Sequence, residues 1–429
     1  MKKTAELKTL PVSILKPAEY NPRVKLKPGD KDYEKIKASI EEYGFADPLV
    51  VNADMTIVGG HQRLTVAIDL GYTEVPCAVV DVDKTRERGL NLALNRIQGR
   101  FDEVMLADLL KELQDSNFDL GKTGFDPPEI ETLFNNVHNK DVKEDDFDVE
   151  SELKKPAFSM PGDIWRIGKH TVICGDSTLP ETYERLLEGK KVNLVCTDAP
   201  YFVDLDSASG KIKNDDLSDK EAYQFLMKVF SCFKEAMAED ASIYEFYATS
   251  KSRIFYDAFD DAGFKLGAGL IWRKERAPLM RTDWKFNFEP IIYGWRKDGR
   301  HRWYGDQKQK ACFDFDGIKN SKTEGFGHPS SKPVQLIAYL IRQSTMTNGL
   351  VLDGFLGSAS TLIACEQLDR VCYGVEIEPK FVDVAVKRYC QFKENKGEDV
   401  FVLRSGQRLT LDEVLQLQPG ADSEVDHDE

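Results

Sequence analysis

The chain has 429 residues, which is long for a single hydrophobic core, so two or more domains are expected. Charged residues at 31% and hydrophobic residues at 41% are typical of a soluble globular protein, and no apolar stretch approaches the roughly 20 residues that span a bilayer. The net charge of −15 argues against a general nucleic-acid binder, although the location of the charge matters more than its total.

The eight cysteines are scattered along the chain without a C-x-x-C pair, and most of them lie inside apolar runs. Buried thiols in a reducing cytoplasm fit this pattern better than disulfides or a zinc site. The first residues, Met1–Glu6, lead into no apolar segment of the kind that a secretory signal requires. A cytoplasmic protein without a metal is therefore expected.

Residues 1–135 are predicted to form a separate, smaller α+β domain. The i, i+4 spacing of Ile36 and Ile40 indicates an amphipathic helix over residues 33–43, which ends before Gly44. The elements predicted after it are a hairpin, a helix and a strand, at residues 48–58, 61–70 and 75–80.

Gly59, Gly60, His61 and Arg63 open the second of these helices and could hold a phosphate, because glycines let backbone N–H groups approach an anion at a helix N-terminus. A structural turn with a solvated Arg63 explains the same residues equally well. The succession of elements resembles the N-terminal domain of ParB-like proteins, which carry G-E-R-R where this chain has Gly60-His61-Gln62-Arg63. The corresponding site of ParB relatives binds a nucleotide triphosphate. The changes at His61 and Gln62 leave nucleotide binding and hydrolysis open, and DNA or partner binding is the broader expectation.

A helical extension is predicted over residues 101–135, and residues 136–160 are rich in aspartate and glutamate, which predicts a flexible acidic linker. Strands and helices then alternate to about residue 398, as in a doubly wound α/β sheet. Those predicted up to residue 271 lie at residues 164–167, 171–176, 181–187, 193–197, 220–237, 242–246 and 266–271. The C-terminal segment, residues 399–429, ends in an acidic tail that is predicted to be disordered.

The apolar run Asn193–Thr197 is predicted to be a short buried strand that ends in Asp198, Ala199, Pro200 and Tyr201. The open ends of buried parallel strands are where α/β folds place their chemistry. A strand end with a turn-forming aspartate explains these residues equally well when they are taken alone.

A second strand end, within residues 350–361, favours a functional site at Asp198 over a simple turn. An apolar strand turns through Gly354 and Gly357 and opens a helix with small hydroxyl residues at its start, which suits a negatively charged ligand group. The next strand ends in Glu376, and in nucleotide-binding folds such an acid accepts hydrogen bonds from ribose hydroxyls. Together these features predict an adenosine-containing cofactor with a carboxylate tail.

The order of these segments resembles the DNA amino-methyltransferases of the permuted (beta) group, in which a D-P-P-Y motif precedes an S-adenosylmethionine loop of the form D-P-F-x-G-x-G. This chain has Asp198-Ala199-Pro200-Tyr201 first and Asp353-Gly354-Phe355-Leu356-Gly357-Ser358-Ala359 later, and residues 288–295 and 328–333 also match family segments. The resemblance covers roughly residues 161–395 and implies a Rossmann-like methyltransferase domain that uses S-adenosylmethionine. The cofactor-binding residues that it implies are Asp353, Phe355, Gly357, Ser358, Ser360, Glu376, Lys332 and Asp176.

Basic and aromatic residues are concentrated between the two motifs. Residues 265–310 contain 12 lysines and arginines and 5 acids, a local balance of 12 − 5 = +7, together with four of the five tryptophans. A solvated basic face over core tryptophans would explain this composition, but its position between the motifs favours a target-recognition insert, at about residues 265–325, that contacts phosphates and stacks on bases. The candidate DNA-binding residues are Arg273, Lys274, Arg276, Arg281, Lys285, Arg300 and Arg302.

The first motif suits an attack by an exocyclic amine. The Asp198 carboxylate and the Ala199 carbonyl can accept the two amine hydrogens, Pro200 fixes the direction of that carbonyl, and Tyr201 can stack on a base flipped out of the duplex. Three residues depart from the family pattern: Ala199 and Gly354 each replace a proline, and Ala359 replaces a glycine at which backbone approaches the cofactor. We expect an active enzyme, in which Ala359 could weaken cofactor affinity.

These features predict a site-specific methyltransferase that acts on double-stranded DNA, with adenine N6 favoured over cytosine N4 because the motif begins with Asp198 rather than serine. A restriction–modification setting is expected, and a homodimer stays open. One alternative is a methyltransferase fold that has lost catalysis and acts as a ParB-like DNA-binding regulator. Another, methylation of RNA or of a protein glutamine, is disfavoured by Asp198 and by the basic insert.

Overall fold

The computed structural model of the protein describes residues 5–95, 101–116, 118–137, 141–203, 206–207, 210–211, 214–274, 283–305, 308–315 and 332–417. The chain divides into two compact units, Met1–Asn139 and Lys140–Glu429. Among the described helices, none is both long enough and apolar enough to cross a membrane.

The first unit is a small α+β domain. Its described strands and helices are β1 (Glu6–Pro11), α1 (Lys31–Tyr43), β2 (Leu49–Asn52), β3 (Ile57–Gly59), α2 (His61–Asp69), β4 (Glu74–Val80), α3 (Lys84–Asn95), α4 (Glu103–Asp115) and α5 (Pro127–Val137). The sheet has the order β1-β4-β2-β3, in which β2 is parallel to β4 and the other pairs are antiparallel. Leu49, Val51 and Ile57 are fully buried in its core.

The predicted first helix, the hairpin, the second helix and the following strand of this unit are all confirmed. The sequence did not reveal β1 or α3. Strand β1 lies at the edge of the sheet with mostly exposed side chains, so it lacks the apolar alternation that marks a half-buried strand. Helix α3 buries polar residues, among them Glu87, Asn91 and Asn95, so its inner face does not look apolar.

The second unit is built on one large sheet. Its described elements are α6 (Val149–Leu153), β5 (Ile164–Ile167), β6 (His170–Cys174), α7 (Pro180–Leu187), β7 (Val192–Thr197), β8 (Asp206–Ser207), β9 (Gly210–Lys211), α8 (Asp219–Ala236), β10 (Met237–Phe246), α9 (Ser252–Asp261), β11 (Phe264–Arg273), β12 (Phe288–Arg296), β13 (Cys312–Asp314), α10 (Val334–Ser344), β14 (Leu350–Asp353), α11 (Ser360–Gln367), β15 (Val371–Glu376), α12 (Pro379–Phe392), β16 (Val400–Arg404), β17 (Gln407–Thr410) and α13 (Leu411–Gln416).

The strand order of the large sheet is β13-β11-β12-β10-β7-β14-β15-β6-β5-β16-β17. The five central strands, from β10 to β6, are parallel, and β12, β5 and β16 each run antiparallel to a neighbour. Two apolar layers cover the faces, one with α7, α8 and α9 and the other with α10, α11 and α12. This arrangement confirms the predicted doubly wound, Rossmann-like α/β fold.

The strand order reverses between the neighbouring central strands β7 and β14. Strand β7 is followed by α8 and β10 on one side, and β14 is followed by α11 and β15 on the other side. Such a reversal opens a crevice at the carboxyl ends of the two strands, where doubly wound folds bind ligands. The turn that begins at Asp198 and the loop over residues 354–359 both start at this crevice.

The acidic segment after the first unit is not a flexible linker over its described part. Val142 is buried in the core, and the Glu144 carboxylate accepts hydrogen bonds from the backbone N–H of Val334, at 3.0 Å, and from the next residue of α10. Asp145 pairs with the buried guanidinium of Arg388 at 2.8 Å. The acids lie at a helix N-terminus and against a buried cation, both of which favour negative charge, so the segment packs against the rest of the second unit.

The described part of the predicted C-terminal segment extends the sheet, because β16 pairs with β5 and β17 pairs with β16. The predicted acidic tail, residues 418–429, lies outside the described residues.

Candidate active site

Asp198 follows β7 directly, at the crevice, and its two carboxylate oxygens differ in their surroundings. Oδ2 pairs with the ammonium group of Lys332. Oδ1 is buried and accepts no hydrogen bond from any residue that the structure describes. Burial raises the pKa of Asp198, with Lys332 opposing the shift. One oxygen is therefore held in place by a cation, while the other remains open to a donor.

Lys332 lies within a cluster of acids and aromatic rings and is only 7% exposed. Besides Asp198, its Nζ lies 3.4 Å from Glu289 Oε2, 5.3 Å from the ring centre of Tyr201 and 5.1 Å from that of Phe246. Burial alone would lower the pKa of Lys332, but Asp198 and Glu289 outweigh burial and leave the pKa raised. The ammonium group therefore stays charged.

Glu289 connects this cluster to Lys274, in the basic segment that follows β11. Its Oε1 pairs with Lys274, and its Oε2 accepts a hydrogen bond from the Tyr201 hydroxyl at 3.2 Å. Burial alone would raise the pKa of Glu289, but Lys332 and Lys274 leave it lowered. The cluster thus alternates anions and cations from Asp198 to Lys274, so the charges compensate one another in a buried environment.

Asp353 organises the loop at the end of β14. Its Oδ1 accepts hydrogen bonds from the Thr197 hydroxyl at 2.8 Å and from the Phe355 N–H at 3.0 Å, and its Oδ2 accepts one from the Thr361 hydroxyl at 2.6 Å. Thr197 precedes the turn that begins at Asp198, and Thr361 lies in the first turn of α11. The Asp353 carboxylate therefore ties both strand ends and the helix start together.

Glu376 ends β15, next to this loop. Its carboxylate oxygens accept hydrogen bonds from the backbone N–H groups of Gly357 and Glu378, each at 2.8 Å. Burial raises the pKa of Glu376 to about 7. Each oxygen retains a further lone pair for a hydroxyl donor.

The other predicted cofactor residues surround the same loop. The Ser358 carbonyl accepts a hydrogen bond at 2.6 Å from Arg388, whose guanidinium is held by Asp145. Ser360 begins α11 and Phe355 lies within the loop. Asp176 caps a turn by accepting from Thr178, at 2.8 Å, in a segment whose Gly175 N–H donates to the Glu376 carbonyl at 2.9 Å. Lys332 is placed differently: its ammonium group lies against Asp198.

The residues around the loop fit an adenosine cofactor. Gly357 has φ +51°, and a Cβ there would meet one atom within 4 Å, the Phe355 carbonyl oxygen at 3.9 Å, so the loop leaves an open side at this residue. The carboxylate of Glu376 stands beside it with acceptor capacity for a diol. The loop backbone at Gly357 can lie close to the cofactor, and the acid at the end of the next strand can accept hydrogen bonds from its ribose hydroxyls. An adenosine cofactor requires both features.

Two departures from the motif that this loop resembles have structural consequences. Gly354 leaves no room for a side chain, since a Cβ there would lie 2.5 Å from the ring of Phe233. Ala359 adopts φ +66° as the N-cap of α11 and is fully buried. A left-handed residue with a Cβ is strained by roughly 1–2 kcal/mol, so the loop accommodates Ala359 at a cost.

Some of the predicted DNA-binding residues lie at the same edge of the sheet as Asp198. Arg273 ends β11, with Asp314 as its partner at 2.6 Å, and Lys274 follows it. Lys285 is exposed, and the neighbouring Trp284 is 83% exposed. Arg276 and Arg281 lie outside the described residues, as do residues 328–331 of the matched segment.

Arg300 and Arg302 lie at the opposite edge of the sheet. Strand β12 runs antiparallel to β10, so the residues after it lie near the start of β10. The Arg300 N–H donates to the Glu239 carbonyl at 2.9 Å, and Arg302 pairs with Asp240. The structure therefore does not bring these two arginines to the face that carries Asp198.

The glycines of the first unit also form a helix N-terminus. Gly60 is the N-cap of α2 with φ +92°, and Gly59 ends β3. His61 accepts a hydrogen bond from the Ala18 N–H at 3.2 Å, and burial lowers its pKa to about 4. Arg63 pairs with Asp47. The four predicted residues are thus adjacent, and two of them have protein partners.

Three family models match the chain. Residues 1–96 match a model described as "ParB N-terminal domain", residues 104–161 one described as "ParB-methyltransferase HTH domain", and residues 192–387 one described as "DNA methylase". The second match includes α4 and α5, which sequence reasoning treated as a helical extension only. Their sequences show a helical stripe, but the stripe alone does not distinguish a DNA-binding helix pair from a packing one.

Curated relatives are similar to about half of this chain. The type II methyltransferase M2.MboI of Moraxella bovis is 27% identical over 229 residues, which are 47% of this chain and 82% of the relative. M2.DpnII of Streptococcus pneumoniae is 23% identical over 225 residues, which are 47% of this chain and 84% of the relative.

Solved structures of methyltransferases are also similar. A complex of M1.HpyAVI with SAM is 19% identical, with a TM-score of 0.38, and the match covers 51% of this chain and 98% of that one. The cytosine-N4-specific PvuII DNA methyltransferase is 18% identical, with a TM-score of 0.41, and the match covers 52% and 86% of the two chains.

Proposed function

We propose that this chain, which is a DNA methyltransferase of the N6/N4 class with a ParB N-terminal domain, methylates N6 of adenine in double-stranded DNA. The observation that carries the proposed acceptor role is the buried Oδ1 of Asp198, which has no hydrogen-bond partner within the described part of the chain. The preference for adenine rests on the aspartate, rather than a serine, at this position of the motif. A buried acceptor without a donor is costly, so its retention indicates a donor supplied by a substrate.

The residues of the catalytic turn can activate a weak nucleophile. The lone pair of an exocyclic amine is delocalised into the base, and two acceptors on its hydrogens draw the nitrogen toward tetrahedral geometry. Asp198 Oδ1 supplies one acceptor, and the Ala199 carbonyl supplies the other. Tyr201, which is held by Glu289, offers a ring for stacking on the flipped base. Positioning of the amine should account for much of the rate gain.

S-adenosylmethionine is the cofactor, and when bound it supplies an electrophilic methyl group. In the proposed arrangement Glu376 accepts from its ribose hydroxyls, and the loop over residues 353–359 gives its backbone a close approach. Asp353 and Arg388 hold that loop from both sides, through the Thr361 hydroxyl and the Ser358 carbonyl.

The affinity for S-adenosylmethionine is expected to depend on pH through Glu376, whose pKa is raised to about 7. The carboxylate form accepts from the ribose, and it is lost as the pH falls through that value. Lowering the pH from about 8 to about 6 should therefore weaken binding about tenfold, the change in carboxylate population across two units. Isothermal titration calorimetry at several pH values measures this.

The Glu376→Gln variant should bind S-adenosylmethionine weakly at every pH, and its affinity should not change between about pH 8 and about pH 6. Glu398→Gln, which changes an exposed acid that does not contribute to the raised pKa of Glu376, is the matched control and should keep the pH dependence. A pH dependence that persists unchanged in Glu376→Gln would assign the titration to another group, with Asp353, whose pKa is raised to about 6, as the next to examine.

Contact with DNA is proposed for the Asp198 edge of the sheet, where Arg273, Lys274, Lys285 and the exposed Trp284 lie. Basic side chains interleaved with an aromatic ring suit phosphate contact and base stacking. Arg300 and Arg302 are left out of this surface because they lie at the other edge.

The decisive experiment is expression of the full chain in a host that lacks DNA methylation, followed by single-molecule sequencing of the host genome. We expect N6-methyladenine within a defined sequence motif, and an unmodified genome in cells that carry the Asp198→Ala variant. N4-methylcytosine would correct the base. An unmodified genome with soluble wild-type protein would favour the regulator that has lost catalysis.

A further inference from the structure

A buried acid, Glu245, contacts the catalytic turn from the neighbouring strand. It lies near the carboxyl end of β10, in register with Thr197 of β7, and is fully buried. Its Oε1 accepts a hydrogen bond from the backbone N–H of Ala199 at 3.0 Å. The glutamate therefore holds the residue whose carbonyl is the second acceptor in the proposed reaction.

The rest of the Glu245 carboxyl group has few partners. Oε2 is buried and has no hydrogen-bond partner within the described part of the chain. Burial raises the pKa of Glu245 well above its ordinary value, and the nearby carboxylates of Asp198 and Asp353 raise it further. Burial of a carboxyl group with a single hydrogen bond costs free energy, and that hydrogen bond is the one to the Ala199 N–H.

The contact exists because residue 199 is not proline. The motif that this turn resembles has proline there, which has no N–H and fixes its own backbone angle. Ala199 is buried and lacks that restraint, but it has an N–H to donate. A hydrogen bond from a neighbouring strand can supply the restraint that the ring would otherwise provide. Ala199 and Glu245 thus act as a pair.

We propose that Glu245 is a positioning residue of the methyl-transfer site, which fixes the Ala199 carbonyl by holding the Ala199 N–H and so replaces the rigidity of a proline. This inference rests on the proposed function for its kinetic consequence, although the contact itself does not. Glu245 acts through Ala199 and need not touch the substrate.

A double-mutant cycle in the full-length protein tests the pair. Glu245→Met removes the acceptor and should lower kcat about 10- to 100-fold, because a misplacement of about 1 Å at a reacting group costs up to about 100-fold. The KM for S-adenosylmethionine should stay within about twofold, since Glu245 does not hold the cofactor loop. Glu245→Gln, which retains a neutral acceptor of the same shape, should restore most of the rate.

Measurements in the Ala199→Pro background show whether Glu245 positions the Ala199 carbonyl or only supports the fold. Proline removes the N–H and supplies its own restraint, so adding Glu245→Met to Ala199→Pro should cost less than about threefold. Equal losses from Glu245→Met in both backgrounds would overturn the inference.

Hydrogen exchange keeps the inference separate from the proposed function. In Glu245→Met the Ala199 amide should exchange faster than in Glu245→Gln, whether or not the wild-type protein methylates DNA. Equal exchange in the two variants would refute the contact. An inactive wild type with the expected exchange difference would refute the methylation proposal alone.

Discussion

Asp198→Ala is expected to abolish DNA methylation, with a fall in kcat of at least about 10²- to 10⁴-fold, the range that a positioned proton acceptor contributes. The physical reason is the open Oδ1, which is the acceptor that this site offers to the amine. The affinity for S-adenosylmethionine should stay within about twofold, because the cofactor loop is held by Asp353 and Glu376 instead. Methyl transfer to duplex DNA and calorimetric cofactor binding measure the two quantities.

The matched control is Asp257→Ala, which removes an exposed aspartate from α9 and a surface pair with Arg253 at 3.5 Å. Exposed helix pairs contribute only about 0.3–0.5 kcal/mol, so this variant should methylate as the wild type does. Full methylation by Asp198→Ala would remove Asp198 from the reaction. Loss of cofactor binding in that variant would instead show that Asp198 supports the loop.

The site residues that could be predicted from the sequence are those that directly follow a predicted strand. Asp198, Asp353 and Glu376 each follow an apolar run, and the carboxyl ends of parallel strands meet at one edge of a sheet. The doubly wound fold could be predicted for a related reason, since the alternation of apolar runs and helical patterns is a local property.

The pairings across the site could not be predicted in this way. Lys332 is 134 positions from Asp198 along the chain, and no local pattern shows that its ammonium group reaches the Asp198 carboxylate. Glu245 lies in a strand, where an acid would ordinarily indicate an exposed side. Its role depends on Ala199, the neighbouring strand end, so it becomes visible only when the register of β7 and β10 is known.

Charge counted along the sequence was misleading in two places. The acidic segment before residue 147 looks like a solvated linker, yet its acids cap α10 and hold Arg388, partners that lie far away in sequence. Likewise Arg300 and Arg302 increase the basic count of the insert, but β12 carries the chain to the opposite edge before they occur. In both cases the local charge was counted correctly, but the contacts of the charged residues depend on where the fold places them.

Lys332→Met is expected to lower kcat about 10²-fold near neutral pH and to shift the pH–rate profile upward. The ammonium group pairs with Asp198 and lies 3.4 Å from Glu289, so its removal leaves two buried carboxyl groups without the cation between them. Loss of an opposite charge raises a carboxyl pKa, and the pKa of Asp198 is already raised by burial. A protonated Asp198 cannot serve fully as the acceptor, which lowers the rate at low pH.

The direction in which the pH–rate profile shifts distinguishes this prediction from a general loss of activity. The acceptor form is the carboxylate, which is present above the Asp198 pKa, so activity should rise with pH and should reach half its maximum at a higher pH in Lys332→Met than in the wild type. Lys228→Met, an exposed lysine of α8, is the control and should keep the wild-type profile. Because removal of one partner from a buried pair can cost about 3–5 kcal/mol, the Tm is measured first. A folded Lys332→Met protein with an unshifted profile would mean that Lys332 does not govern the ionisation of Asp198, and the charge cluster would then serve only to shape the pocket for the base.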